Sequence, residues 1–228
     1  MIAYGTRLCL AAALGAFALS PAAAQTRPDP AIEIVAATRG MSKGLAQTEG
    51  PQLLVRGELA FGNLYLGAYG KNVVSSGDEG IEAGALVGAR FNLAGFQLGA
   101  SAALKRLVGI GVPVDDDALE VVVSASRAFG PVTPRLSATW SPNELGSTRH
   151  SLYLEAGLSL NLGHGTALSG AVARRERSGG PDYTAFNLGA TQTLAPGISA
   201  DLRLYDTAQS ALGEVYHRRV VASLRARF

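Results

Sequence analysis

Between residues 149 and 163 the chain reads "RHSLYLEAGLSLNLG". Leu152, Leu154, Ala156, Leu158, Leu160 and Leu162 are apolar, and Tyr153, Glu155, Ser159 and Asn161 between them are polar. A period of two marks a β-strand with two unlike faces. Strands of globular proteins average about five or six residues; this one runs more than twice that and has something thick to cross. The same pattern recurs in twelve segments, near residues 31–38, 52–61, 64–72, 81–92, 96–105, 118–128, 132–141, 150–162, 166–175, 183–194, 198–206 and 216–228. Breaks containing Gly, Pro or Asp separate them.

The breaks alternate in length along the chain. Five are very short and contain glycine: "GN" at 62–63, "LAG" at 93–95, "FGP" at 129–131, "GHG" at 163–165 and "PG" at 196–197. Six are longer and more polar: "RGMSKGLAQTEGP", "VVSSGDEG", "KRLVGIGVPVDDD", "SPNELGSTR", "RRERSGGPD" and "DTAQSALGEV". In an up-and-down antiparallel sheet, alternate connections lie at opposite ends. One end therefore carries tight turns and the other long loops, which is the asymmetry of outer-membrane barrels.

A soluble barrel would turn its apolar face inward, and a membrane barrel turns it to lipid. Segment length favours lipid, because a tilted strand needs about 9–11 residues to cross the hydrocarbon core. Nearly all charge on the segments sits on one face, which carries Arg56, Glu58, Lys71, Glu82, Arg90, Lys105, Glu120, Arg135, Glu155, Asp201, Arg203, Arg219 and Arg225, with Glu33, Arg175 and Arg227. Phe61, Phe91, Phe96, Phe129 and Phe228 fall beside short turns or at the C-terminus, at the level where aromatic side chains favour the headgroup region. Trp140 and Tyr216 are the candidates for the opposite girdle. The expected fold is all-β: a transmembrane up-and-down antiparallel β-barrel of about 12 strands, spanning residues 25–228.

The final "VVASLRARF" places Val220, Ala222, Leu224 and Ala226 on one face and Arg219, Ser223, Arg225 and Arg227 on the other. A last strand ending in phenylalanine resembles the terminal strand of bacterial outer-membrane proteins, which implies the barrel-assembly machinery as a partner through Phe228. Near the start, "TRGMSKG" at 38–44, Pro51, "NLYLGAYGKNV" at 63–73 and "EGIEAGALVGAR" at 79–90 resemble the opening of the TorF-like family of outer-membrane proteins. Here Thr38 stands for that family's aromatic before Arg-Gly, and Tyr69 for its Trp after Tyr-x-Gly. The resemblance implies a porin-like barrel and names no substrate.

Composition sharpens this. Of 228 residues, 47% are hydrophobic and only 17% charged, against about 25% charged in a typical soluble domain. A formal charge of +2 gives no strong pull toward nucleic acid. "MIAYGTRLCLAAALGAFALSPAAAQ" has Arg7, an apolar run from Leu8 to Leu19 and small residues at Ala22 to Ala24. That is the layout of a signal peptide, residues 1–24, directing export to the cell outer membrane. The sole cysteine, Cys9, lies within it.

Catalytic arrangements are sparse, so no enzyme and no cofactor are expected. His150 adjoins Ser151, but neighbouring strand residues point to opposite faces, and His164 and His217 lie in a turn and near a loop. "GIGVPV" at 109–114 lacks the third glycine of a dinucleotide fingerprint. Asp115, Asp116 and Asp117 read as a solvated acidic loop more than a cation site. "RRER" at 174–177 reads as a contact for phosphates of membrane lipid or lipopolysaccharide, since arginine forks suit phosphate oxygens.

Twelve strands fall between filled eight-stranded barrels and open porins of about sixteen strands. Small residues on the polar face (Gly84, Gly88, Gly99, Ser124, Gly157 and Gly189 among them) would keep the lumen partly open. That face has ten basic and six acidic residues. The expected function is a porin-like channel for passive diffusion of small polar solutes, weakly anion-preferring through this excess of positive charge. The rival is a closed structural or surface-interaction barrel in which Arg and Glu pair across the lumen; a membrane hydrolase is third.

Overall fold

The computed structural model describes residues 27–75, 77–111, 114–146 and 148–228. Residues 1–24, expected from the sequence to be a signal peptide, lie outside them. The strands are β1 (Asp29–Ala37), β2 (Met41–Ser42), β3 (Leu45–Ala46), β4 (Gln52–Phe61), β5 (Leu64–Ser75), β6 (Asp78–Leu93), β7 (Phe96–Val108), β8 (Asp117–Ser126), β9 (Val132–Glu144), β10 (Arg149–Gly163), β11 (Thr166–Arg177), β12 (Tyr183–Ala195), β13 (Ile198–Asp206) and β14 (Arg219–Arg227). All but β2 and β3 form one closed antiparallel barrel of twelve strands, each paired with its chain neighbour. Closure joins β14 to β1, with Glu33 opposite Arg227 and Ala37 opposite Ser223. Phe228 completes this seam, its N–H donating to the Ile32 carbonyl at 2.9 Å and its carbonyl accepting from Ile32 at 3.1 Å. The barrel is transmembrane.

The two faces lie as the alternation predicts. Leu136, Leu158, Leu162, Leu188 and Val220 point outward and are more than half exposed, whereas Tyr153 and Ser151 are buried in the lumen. An apolar exterior of this kind is stable against lipid tails and closure removes every sheet edge. Phe61, Phe91, Phe96, Phe129 and Phe228 are all exposed, and all sit at the short-turn end. Trp140 is outward at the other end, and its Nε1 donates to His150 Nε2 at 3.1 Å.

Several expectations need correction. "VVSSGDEG" is no long loop, because β5 runs to Ser75 and β6 starts at Asp78. Tyr216 does not belong to an outer girdle: it is buried and meets Tyr183 edge to face, ring centroids 5.5 Å apart. Of "RRER", only Arg174 and Glu176 point outward, and Arg174 already faces Asp182 at 3.4 Å; Arg175 and Arg177 turn into the lumen, as a period of two requires. The inward glycines do not simply leave space. Tyr69 and Tyr65 lie over their cross-strand partners Gly84 and Gly88, filling what a Cβ would occupy. Arg203 does the same beside Gly189.

Candidate functional site

The connection from β1 to β4 folds inward as a small hairpin, β2–β3. Its two-residue turn is Lys43-Gly44, with φ of 50° and 82°. The short-turn connection Ala94-Gly95 has nearly the same pair, 51° and 81°. Two successive positive φ values define the type I′ turn, whose twist suits a tight hairpin. Its stem is held by the Gln47 N–H donating to the Gly40 carbonyl at 2.8 Å and the Gly40 N–H donating to Thr48 Oγ1 at 2.7 Å. The Val74 N–H donates to the Gln47 carbonyl at 2.7 Å, anchoring the stem to the barrel wall.

The tip crosses the lumen. Gly44 lies so close to β12 that a Cβ there would overlap the Cβ of Ala185. The Tyr183 hydroxyl donates to the Lys43 carbonyl at 2.6 Å. Leu45 joins Tyr153, Ala173, Tyr183, Ala185 and Tyr216 in the one buried apolar cluster among the described residues. A glycine at position 44 is required twice over, for the φ and for the close approach.

The Lys43 ammonium then reaches the far wall. It contacts Glu120 Oε2 at 2.6 Å and also donates to Glu144. Lys105 contacts the same two carboxylates at 2.7 and 2.9 Å. The four side chains form a ring of alternating charge, each 17% exposed or less. Arg175 approaches Glu144 at 3.6 Å, and Ser151 Oγ donates to it at 3.4 Å. Beside the ring, Lys71 contacts Glu82 at 3.3 Å and the Tyr69 hydroxyl donates to Glu82 at 2.8 Å. Lys71 also donates to Gln47 of the hairpin stem at 2.7 Å. Buried charges persist when paired and hydrogen-bonded, and here every carboxylate has at least two donors.

The remaining lumenal charges pair elsewhere along the barrel. Arg90 grips Glu58 with two nitrogens at 2.6 and 2.8 Å and lies 3.9 Å over the Tyr65 ring, and Arg56 approaches Glu58 at 3.4 Å. Arg135 meets Glu155 at 2.5 Å while staying 56% exposed. Arg203 is held by Asp201 at 2.9 Å, Asn187 at 2.7 Å and Ser169 at 2.8 Å. Arg225 nears Glu33 at 3.7 Å, and Arg219 nears Glu214 at 3.5 Å on the long-loop rim. The thirteen charged residues named from the sequence occupy the strand positions that alternate with the exposed leucines and valines.

Two partners were missed. Lys43 sat in a stretch read as a loop; Gly44 permits a type I′ turn, but Lys-Gly is not one of the dipeptides that announce a hairpin. Glu144 has the wrong parity for the inner face. Register shifts between β8 and β9 at Leu119/Val121, and between β9 and β10 at Arg149/Ser151, turn it inward. Outside the lumen, Asp116 and Asp117 face Arg106 at 3.5 and 3.8 Å.

The hairpin divides the lumen. On the short-turn side lie cavities of about 810 and 450 Å³, lined by Arg56, Arg90 and Ser124, and by Arg135, Glu155 and Arg203, respectively. On the long-loop side lies one of about 420 Å³, lined by Arg175 and Arg177. Ser42 and Lys43 are walls of all three.

No family model matches the chain, and no curated protein does. Solved structures do share its fold. The KdgM porin superposes with a TM-score of 0.58 at 7% identity, covering 87% of this chain and 98% of that one. The NanC porin gives 0.55 at 6% identity, covering 86% and 97%. An outer membrane channel from Pseudomonas putida F1 gives 0.51 at 14% identity, covering 87% and 94%. At such identities the likeness is one of fold: a porin-like twelve-stranded barrel.

Proposed function

We propose that this chain is an outer-membrane channel for passive diffusion of small polar solutes, narrowed at the β2–β3 hairpin and weakly anion-preferring. The observation that carries the reading is the polar cavity space on both sides of the hairpin, with Lys43 in the wall of each part. Solutes would pass beside a ring of fixed charges, which sets selectivity by sign and spacing. Lys43 and Glu144 add one charge of each sign to the lumen, so the positive excess counted from the strands persists. Export fits the same reading, with residues 1–24 removed and the strand ending in Phe228 read by the assembly machinery. Outer-membrane lipid and lipopolysaccharide would surround the apolar exterior.

A second reading is favoured by one observation: the lumenal carboxylates are paired, and Lys43 ties the hairpin across the bore. A barrel so stapled could be closed and serve a structural or surface role. Single-channel recording of refolded protein in planar bilayers, under opposite salt gradients, separates the two. Discrete current steps with an anion-selective reversal potential are expected. Silence from protein shown to be folded and inserted would overturn the channel reading in favour of the closed barrel.

A further inference from the structure

The long-loop mouth holds two arginines: Arg175 at the edge of the charge ring, 3.6 Å from Glu144, and Arg177 outside it. Arg175 and Arg177 lie two apart on β11, so both enter the lumen from one strand. The Arg175 side chain is 8% exposed. Its Nη1 donates to the Tyr183 hydroxyl at 3.1 Å, and its Nε is buried with no acceptor. Arg177 is fixed differently. Its Nε donates to the Pro181 carbonyl at 2.9 Å and its Nη2 to the Tyr216 hydroxyl. The guanidinium lies 5.3 Å from the centre of the Tyr183 ring and 5.7 Å from that of Tyr216. No carboxylate forms an ion pair with Arg177 among the described residues.

Both arginines line the cavity of about 420 Å³ directly above the hairpin, together with Lys43, Lys105, Glu82 and Glu144. The two carboxylates there are already engaged, Glu82 by Lys71 and Tyr69, Glu144 by Lys43, Lys105 and Arg175. Positive charge therefore exceeds negative by two around this cavity. Tyr216 and the Pro181 carbonyl hold the Arg177 guanidinium, and Tyr183 and Glu144 hold that of Arg175, so little side-chain freedom is left to lose on binding. A planar fork held in this way suits an oxyanion, which accepts two parallel N–H bonds. A buried Nε without an acceptor is a cost that an incoming oxygen removes.

We infer that Arg175 and Arg177 form a capture site, at the long-loop mouth, for a small solute bearing a phosphoryl or carboxylate group. The site needs only a folded barrel and stands whether or not the lumen conducts. Arg177 supplies the exposed half of the site and Arg175 the buried half, and the hairpin tip is its floor.

Binding to the detergent-folded full chain tests this without any current measurement. Inorganic phosphate and succinate are titrated separately by calorimetry at constant ionic strength, against chloride as the blank. One saturable equivalent is expected for at least one probe; a response to phosphate alone assigns the phosphoryl group, and a response to succinate alone the carboxylate. Arg177→Gln should weaken that binding at least about tenfold, the scale of one charge-assisted hydrogen bond. Arg135→Gln, on the other side of the hairpin, should leave it within about twofold, well inside one such bond. Arg175→Gln removes a buried tie and risks misfolding; Arg177→Gln leaves the Glu144 pairs in place and keeps the test decisive. No saturable binding of either probe, or binding that Arg177→Gln leaves unchanged, overturns the proposal.

Discussion

Removing charge from the ring around Lys43 should reveal how firmly the hairpin is tied. Lys43→Met leaves Glu120 and Glu144 with Lys105, at 2.7 and 2.9 Å, and with Arg175 at 3.6 Å from Glu144. The local charges still balance, so the loss should fall at the low end of the range for breaking a buried pair, about 3 kcal/mol. Glu144→Gln is harsher. It leaves Glu120 alone against Lys43, Lys105 and Arg175, and should cost about 4–5 kcal/mol. The double variant keeps the neutral Glu120–Lys105 pair, so its cost should be less than the sum by about 2 kcal/mol, a usual coupling for residues in one network. Urea titrations of protein folded in lipid vesicles, read by heat-modifiable gel mobility and by the fluorescence of Trp140, would supply the four free energies. Arg90→Gln, in a separate pair with Glu58, is the control partner for Lys43→Met and should be additive within about 0.5 kcal/mol. If Lys43→Met and Glu144→Gln are also additive within that margin, the ring does not hold the hairpin.

Three shorter predictions follow from the same geometry. Gly44→Ala forces a Cβ onto Ala185 at a left-handed φ of 82°, and should cost about 1–3 kcal/mol while raising conductance as the tip lifts from β12; Gly57→Ala, with open space around it, should change neither. Arg135→Glu should move the reversal potential toward cations, because that side chain is 56% exposed to the lumen. Arg203→Gln should instead cost about 1.5–3 kcal/mol with little change in selectivity, since Arg203 is tied to Asp201, Asn187 and Ser169; equal reversal shifts in both variants would refute this division. Trp140, the one tryptophan in the chain, faces outward, so brominated acyl chains should quench its fluorescence and aqueous iodide should not.

Element boundaries were legible because the period of two is set by the backbone alone. β4 and β13 match the sequence reading residue for residue, and the other barrel strands differ from it by three residues or fewer at either end. Extensions of three residues occur at 73–75, 78–80, 106–108 and 142–144; at the first two, Ser, Gly and Asp suggested a loop but the β5–β6 ladder continued to Ser75 opposite Asp78. Turn residues state a preference, and the cross-strand bonds of neighbours outvote it. The alternation of the two faces was equally legible wherever the ladder kept its register. It failed at Glu144, where one extra residue in β9, visible in its register with both β8 and β10, changed the parity.

What this sequence determined by itself is what local periodicity can carry: twelve long strands, an apolar face for lipid, a charged face for the lumen, tight turns at one end. Alternation is a nearest-neighbour property, and each strand declares it without reference to the others. The tertiary structure alone decided what fills the barrel. Lys43 meets Glu120 across 77 residues of chain and Tyr183 meets the Lys43 carbonyl across 140. Nothing local at Lys43 distinguishes a loop in water from a hairpin across a bore. The choice depends on the bore being wide enough to admit it and on carboxylates from β8 and β9 waiting on the far wall. The same holds for "RRER", whose inward pair became a candidate site only when β12 and the β13–β14 connection brought Tyr183 and Tyr216 against it.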